Sequence, residues 1–381
     1  MNSIQLLISG TKYSGWTAVS LTRSVETIAG QFNITCTENV GGQAVKWPIK
    51  PDETCEIRIA DQTLIVGYVD KVSLGIDADM HGIAVSGRDK TGDLVDCAAV
   101  HEPAQWKDIT ILKLCQILCA PFGIEVVLET VCEMPIKVFK LERGEKAFEA
   151  IDRACKLVGV LPMQGLGRLV LAHISKNKAT TPLVLGGNLL SIQADYDHSD
   201  RYSEYIVSGQ RAGKDSDHGK QAAHVKQTVK DDGVKRYRPY HEAADGQVDA
   251  EKAARQAEWE RQTRAARSAT FDATVAGWLQ EDGKVWDINQ LVQVNADAVG
   301  ITGELLIAAV EYSLDADTGE TTKLNLKRPD AFLPDPKEAE KAQETNDKQA
   351  KAEAKQAKAA KSGKAGKRGS AGNAVKEWEK K

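Results

Sequence analysis

The densest set of side chains able to do chemistry lies in "ADYDHSDRYSEY", which holds Asp195, Asp197, His198, Asp200 and Arg201. Asp195 and Asp197 are two residues apart, so on a strand they share a face. Such a pair can divide acid and base roles in a hydrolytic reaction, or hold a divalent cation. The same residue types also build turns and interfaces, where Asp side chains cap local backbone N–H groups. His218 and His224 have no nearby cysteine to complete a zinc set. The glycines of "ITGELL" and "GLGRLV" lack the lysine–hydroxyl pair of a phosphate loop, and neither GxSxG nor HExxH occurs. No catalytic residue, metal site or cofactor is therefore assigned. A hydrolytic enzyme using Asp195 and Asp197 stands as the alternative reading.

A second cluster is basic. Lys252, Arg255, Arg261, Arg264 and Arg267 recur along "EKAARQAEWERQTRAAR" and could contact phosphates, but Glu251, Glu258 and Glu260 weaken the field. A nucleic-acid-binding adaptor is thus a further alternative. A solvated helix at a domain or subunit boundary fits better, with Trp259 as a possible anchor and an apolar face through Ala250, Ala254, Ala257 and Trp259.

The elements that would position these groups fall into segments. Residues 1–90 read as short strands with polar turns, as in "IQLLIS", "FNITCTE", "TCEIRIA" and "TLIVGYVDKVSLGID". Closing such a sheet into a small barrel would protect its edges. In "FNITC", Phe32, Ile34 and Cys36 share one face and form the expected structural core, with Asn33 and Thr35 opposite. Arg23, Glu26 and the small pair Ala29–Gly30 suit a loop that leads into this strand.

Residues 91–187 change character. "DITILKLCQILCAPFG" places Ile111, Leu114, Cys115 and Leu118 on a helical face before Pro121 and Gly123 stop it. "EKAFEAIDRACKLVG" repeats the plan with Ala147, Ile151, Ala154 and Val158, and "GRLVLAHI" supplies a strand, giving an α+β unit. Strand signals return at 188–210 and 285–333, the latter with "DADTGE" as a hairpin turn. Residues 211–284 read as a loop and helical insertion, the loop part without steady periodicity. The fold class is mixed α/β (α+β).

The chain of 381 residues is 42% hydrophobic and 27% charged, and its N-terminus carries no signal-peptide pattern. Its seven cysteines form no CxxC pair and read as reduced packing residues. The formal charge of −4 conceals a contrast: residues 334–381 carry 13 Lys and Arg against 8 Asp and Glu, leaving the rest at about −9. This Ala/Lys/Gly-rich tail cannot build a core, and Trp378 in "NAVKEWEKK" is its one candidate partner anchor.

Five separated segments, "VSLTRSVETIAGQFNITCTE", "ADQTLIVGYVDKVSLGID", "HGIAVSGRDKTGDLVDCAA", "SDRYSEYIVSGQ" and "ITGELLIAAVEYSLDADTGETTKLNLKRPDAF", occur in order and resemble the baseplate hub proteins of contractile phage tails, especially the Mu-like ones. The likeness spans about residues 1–333. It implies a homotrimeric ring in the virion tail baseplate, assembled in the host cytoplasm. Such a ring would contact the tail tube protein, the central spike protein and neighbouring baseplate proteins, with transient passage of phage DNA. It also implies that two β-barrel-like tube modules per subunit, 1–90 and 188–210 with 285–333, form six similar units around the threefold axis.

Overall fold

The computed structural model describes residues 4–38, 49–76, 81–132, 134–210 and 224–337. His218, Trp378 and nearly all of the 334–381 tail lie outside the described residues.

Period-two alternation makes the strands, because successive side chains point to opposite faces and only one face can be buried. In Ala18–Ser24 and Gln31–Glu38 this buries Val19, Leu21, Phe32 and Ile34, at 4%, 0%, 2% and 0% exposure. Cys36 is half-buried against the same core, Asn33 is exposed and Thr35 half-buried.

Among the described residues these strands belong to one thirteen-stranded sheet. Its main path runs Leu189–Tyr196, Ala269–Ala276, Gly319–Lys327, Ile301–Asp315, Ala18–Ser24, Gln31–Glu38, His81–Asp89 and Gln62–Ile76. It continues through Thr54–Ile59, Ile4–Ile8 and Thr11–Tyr13. The two strand-rich regions expected as separate modules are therefore joined by backbone pairing, since Ile301–Asp315 lies antiparallel to Ala18–Ser24. Among the described residues no ladder closes this sheet on itself.

The first eight strands of the path are two copies of one plan. Ala18–Ser24, Gln31–Glu38, His81–Asp89 and Gln62–Ile76 match, in order, Leu189–Tyr196, Ala269–Ala276, Gly319–Lys327 and Ile301–Asp315. In each copy the long strand takes a further partner on its N-terminal half: Thr54–Ile59 in the first, Leu291–Ala296 in the second. Each long strand also breaks register once against its hairpin mate, between Val69 and Lys71 and between Ile307 and Ala309. Aligning the breaks sets Phe32 against Phe271, both buried in the shared core.

Two groupings expected from sequence need correction. Glu204–Gln210, expected within the second module, pairs instead with His224–Lys230 and Pro239–Gln247 in a separate three-stranded sheet. Ala269–Ala276, expected within the insertion, is a central strand of the large sheet. Alternation identifies a strand but carries no information on which sheet receives it. The excursion expected around residue 224 onward also contains regular structure: in "HVKQTVK" Val225 packs inward while Lys226 and Lys230 face solvent.

The Ala250–Arg267 helix covers this small sheet. Its start is set by Asp249, whose carboxylate accepts the Lys252 N–H at 2.8 Å. The buried face runs through Ala253, Gln256, Ala257 and Glu260, one step around from the expected face, so that Ala250 is exposed.

The α+β unit has its own core of Leu114, Cys115, Leu118, Ile151, Ala154 and Cys155 between helices Ile111–Cys119 and Ala147–Val158. The second helix ends at Gly159, whose φ of 71° is the left-handed conformation that glycine adopts without a Cβ penalty. Arg168–Ala172 pairs parallel with Glu125–Leu128 and antiparallel with Leu161–Gln164.

Candidate assembly surface

Register across the eight antiparallel strands separates two faces. One row runs Thr322, Tyr312, Leu21, Phe32, Gly87 and Val69, and every residue in it is buried. The neighbouring row runs Thr321, Ser313, Ser20, Asn33, Ser86 and Lys71, all polar. A second polar row runs Ser191, Thr274, Lys323, Glu311, Thr22, Gln31 and Arg88. Both repeats thus turn one continuous, mostly uncharged polar face away from their common core. A groove of ≈ 480 Å³ opens on it between Ser20, Thr22, Asn33, Ser86 and Arg88.

Two cations on this face, Arg88 and Lys327, are paired within the chain. Arg88 donates to Asp70 and to Asp96, each at 2.7 Å, which raises its pKa and lowers that of Asp96. Lys327 donates to Glu26 at 2.7 Å. Asn325 donates to Asp272 at 2.9 Å, and Ser20 to Glu311 at 3.1 Å. A phosphate approaching Arg88 or Lys327 would have to displace a carboxylate, so these cations are poor polyanion anchors.

The sequence-derived residues occupy distinct places. Asp195 and Asp197 do not form a pocketed pair: both are exposed at the outer edge of the sheet. Asp195 lies near the Gln193 amide at 3.4 Å, while Asp197 accepts the Ser199 N–H at 2.7 Å. That bond holds the Asp197 pKa below the ordinary value, the opposite of what a general acid needs. Among the described residues no cluster of three or more His, Cys, Asp and Glu is placed to hold a metal ion. Arg201 pairs with Asp231, at 2.7 Å and 2.9 Å, a partner sequence proximity did not suggest, while its guanidinium also lies 3.4 Å from His198. Burial works to raise the Asp231 pKa, but the Arg201 and Gly233 bonds outweigh it and the carboxyl stays low.

The basic helix is likewise spoken for. Arg264 pairs with Glu260 at 2.7 Å and also with Asp200, Arg261 pairs with Glu258, and Arg267 donates to the Ala331 carbonyl at 3.1 Å. Trp259 is half-buried, and its indole N–H donates to the Leu333 carbonyl at 3.1 Å. It anchors the helix to the 329–335 segment of its own chain, beside a cavity of ≈ 570 Å³ lined by Val160, Leu161, Ile174 and Phe332.

Three residues central to this architecture escaped sequence reasoning. Trp278 and Trp286 are each 1% exposed in the second repeat. Trp278 donates to the Ser313 carbonyl at 3.0 Å, and the Trp286 carbonyl accepts the Tyr312 hydroxyl. The paired tryptophans of "GWLQEDGKVW" flanking a turn were the available signal.

A polar sheet face built from an internal repeat thus stands with an α+β unit and a helix-covered small sheet. The chain belongs to the phage baseplate hub protein family. It is 37% identical over 342 residues to the baseplate hub protein gp44 of Escherichia phage Mu, covering 87% of this chain and 89% of that one. Family descriptions match in order: Mu phage baseplate assembly protein GpP-like, N-terminal, at 3–89; baseplate hub protein gp44-like, second domain, at 91–173; tail protein NMB1110-like, third domain, at 201–276; and GpP, fourth domain, at 249–335. The 43 kDa tail protein of prophage MuSo2 from Shewanella oneidensis superposes with a TM-score of 0.77 at 33% identity, covering 88% of this chain and 100% of that one. A tail protein from Neisseria meningitidis shares the fold at 23% identity and a TM-score of 0.73, over 88% of this chain and 98% of that one.

Proposed function

We propose that this hub protein works as a homotrimeric ring connecting the tail tube to the central spike, and that the ring leaves a route for the genome once the spike is released. The observation that carries this reading is the repeat itself. Two equivalent four-strand units per chain convert threefold symmetry into six similar units, which suits a sixfold tube. The common polar face would line the passage in a barrel-like ring. Small hydroxyl and amide side chains there, with cations already held by Asp70, Asp96 and Glu26, favour a hydrated, non-adhesive wall for DNA.

On this reading the protein needs durable interfaces and no reaction centre. Its partners are two further copies, the tail tube protein, the spike protein and neighbouring baseplate proteins. Assembly takes place in the host cytoplasm and the product sits in the virion baseplate. Electron microscopy of the purified assembly tests it: threefold rings with a central opening are expected, and compact particles without an opening would oppose the passage.

A further inference from the structure

The cavity of ≈ 570 Å³ beside Trp259 is a joint between three parts of the fold. Leu161 and Ile174 reach it from the α+β unit, Trp259 and Arg267 from the Ala250–Arg267 helix, and Phe332 from the segment that follows the last strand of the large sheet. Leu161, Ile174, Trp259 and Phe332 are only half-buried, so the cavity leaves apolar wall uncovered. The segment is pinned at one side, where a Cβ added to Gly159 would stand 3.4 Å from the Cβ of Pro334. The rim carries both signs of charge: among the described residues the side chains of Arg267, Asp330 and Asp335 enter no ion pair. Arg267 donates instead to the Ala331 carbonyl, and Asp335 accepts the Lys337 N–H at 2.9 Å.

The described chain stops at this same cavity. Asp335 lines it, and Lys337 is the last described residue, with 44 residues of sequence still to follow. Those residues hold one aromatic side chain, Trp378, within "AVKEWEKK". Ala374 and Val375 stand four and three residues before it, the spacing that shares one face of a helical turn. Lys376, Glu377, Glu379 and Lys380 flank that face with both signs of charge, matching a rim that offers an arginine and two aspartates. The 40 residues between Lys337 and Trp378 are a sufficient tether, because a flexible chain of that length spans roughly 30–40 Å and can return to its own start. Tethering also supplies an effective concentration on the order of millimolar, so a single seated indole suffices to hold the end. The groove between Ser20, Asn33 and Arg88 is lined mostly by polar side chains and offers an indole no such wall.

We infer that residues 374–381 fold back onto this cavity of their own chain, with the Trp378 indole seated among Leu161, Ile174 and Phe332. Glu377 and Glu379 then meet Arg267, and Lys376 and Lys380 meet Asp330 and Asp335. The seated end straps the α+β unit to the Ala250–Arg267 helix through the 329–335 segment that both already touch.

Hydrogen exchange on the full chain tests the strap, with the free peptide 370–381 as the reference for unseated amides. In the full chain, residues 374–380 are expected to exchange at least tenfold more slowly than in the peptide. Trp378→Ala should abolish that protection and speed exchange across 329–335, while the strands of the large sheet exchange as in the parent. Free-peptide rates in the parent chain overturn the proposal, and so does protection that survives Trp378→Ala. A photo-cross-link locates the seat. On irradiation, Trp378→p-benzoylphenylalanine should give a product that runs as one chain of about 41.4 kDa under denaturing conditions, joined to Leu161, Ile174 or Phe332. Attachment elsewhere on the surface overturns the seat. A product of two chains would show that a second copy's terminus occupies the cavity, and overturns the own-chain assignment.

Discussion

The Asp89 carboxylate accepts the backbone N–H of Gly167 at 2.8 Å, tying the last strand of the first repeat to a hairpin of the α+β unit. Asp89 is 2% exposed and also accepts from the Thr91 N–H at 3.1 Å and the Thr91 hydroxyl at 2.9 Å. Burial raises its pKa above the ordinary aspartate value, and the hydrogen bonds from Thr91, Gly167 and the Val66 backbone only partly oppose that rise.

A raised folded-state carboxyl pKa means that the folded chain binds this proton more tightly than the unfolded chain. The Asp89 contribution is therefore fully present below the ordinary aspartate pKa of 3.8 and is lost as pH rises through the higher folded value. Denaturant melts across that window should show wild-type stability falling relative to Asp89→Asn as pH increases. At neutral pH the variant should still be less stable by about 1–3 kcal/mol, because an amide cannot accept from every donor around it. A relative stability that rises with pH would contradict the assignment.

Phe32→Ala should destabilise the first repeat by about 3–5 kcal/mol, since the ring is 2% exposed and sits in the shared core. Urea unfolding gives the magnitude, and sedimentation shows whether assembly falls with it. Gly87→Ala should damage the same spot, because an added Cβ would stand 2.8 Å from the Phe32 ring and 2.1 Å from the Tyr68 carbonyl oxygen. Wild-type melting of both variants would refute this packing.

Freeing Arg88 tests the non-adhesive wall. Asp70→Asn with Asp96→Asn removes both carboxylates that hold the guanidinium. Compared with wild type, duplex DNA affinity at low salt should increase several-fold, with the salt slope steepening by about one unit. An unchanged affinity would mean that this face does not meet DNA.

Alkylation should sort the cysteines by burial. Burial pushes the Cys55 and Cys119 thiols up to about 12, and Cys115 is raised by its contact with Cys155 as well as by burial. Mass mapping after brief iodoacetamide treatment at about pH 8 should find exposed Cys97 modified and these four intact until denaturant is added. Early labelling of Cys115 or Cys155 would contradict the α+β core.

Local rules made some of this readable from sequence. The helix through Leu114 and Leu118 stops where Pro121 and Gly123 say it must, and Phe32 and Ile34 share a buried face because alternation demands it. Sheet membership was not readable: Tyr205 and Phe271 sit in equally alternating strands yet enter different cores. The internal repeat was hidden too. Its equivalences rest on register breaks at Val69 and Ile307, and matched pairs such as Ser20 with Gln193 share polarity but not identity. Arg201 with Asp231 and Asp89 with Gly167 are tertiary pairings, 30 and 78 residues apart. Asp195 and Asp197 drew attention as a pair because their spacing is local, and an exposed sheet edge gives such spacing no pocket.

The ring itself is tested most directly by the mass of the purified, full-length protein in solution, measured over a wide concentration range. A species of three times 41.4 kDa that persists on dilution is the expected result. A protein that remains at 41.4 kDa at every concentration would contradict it.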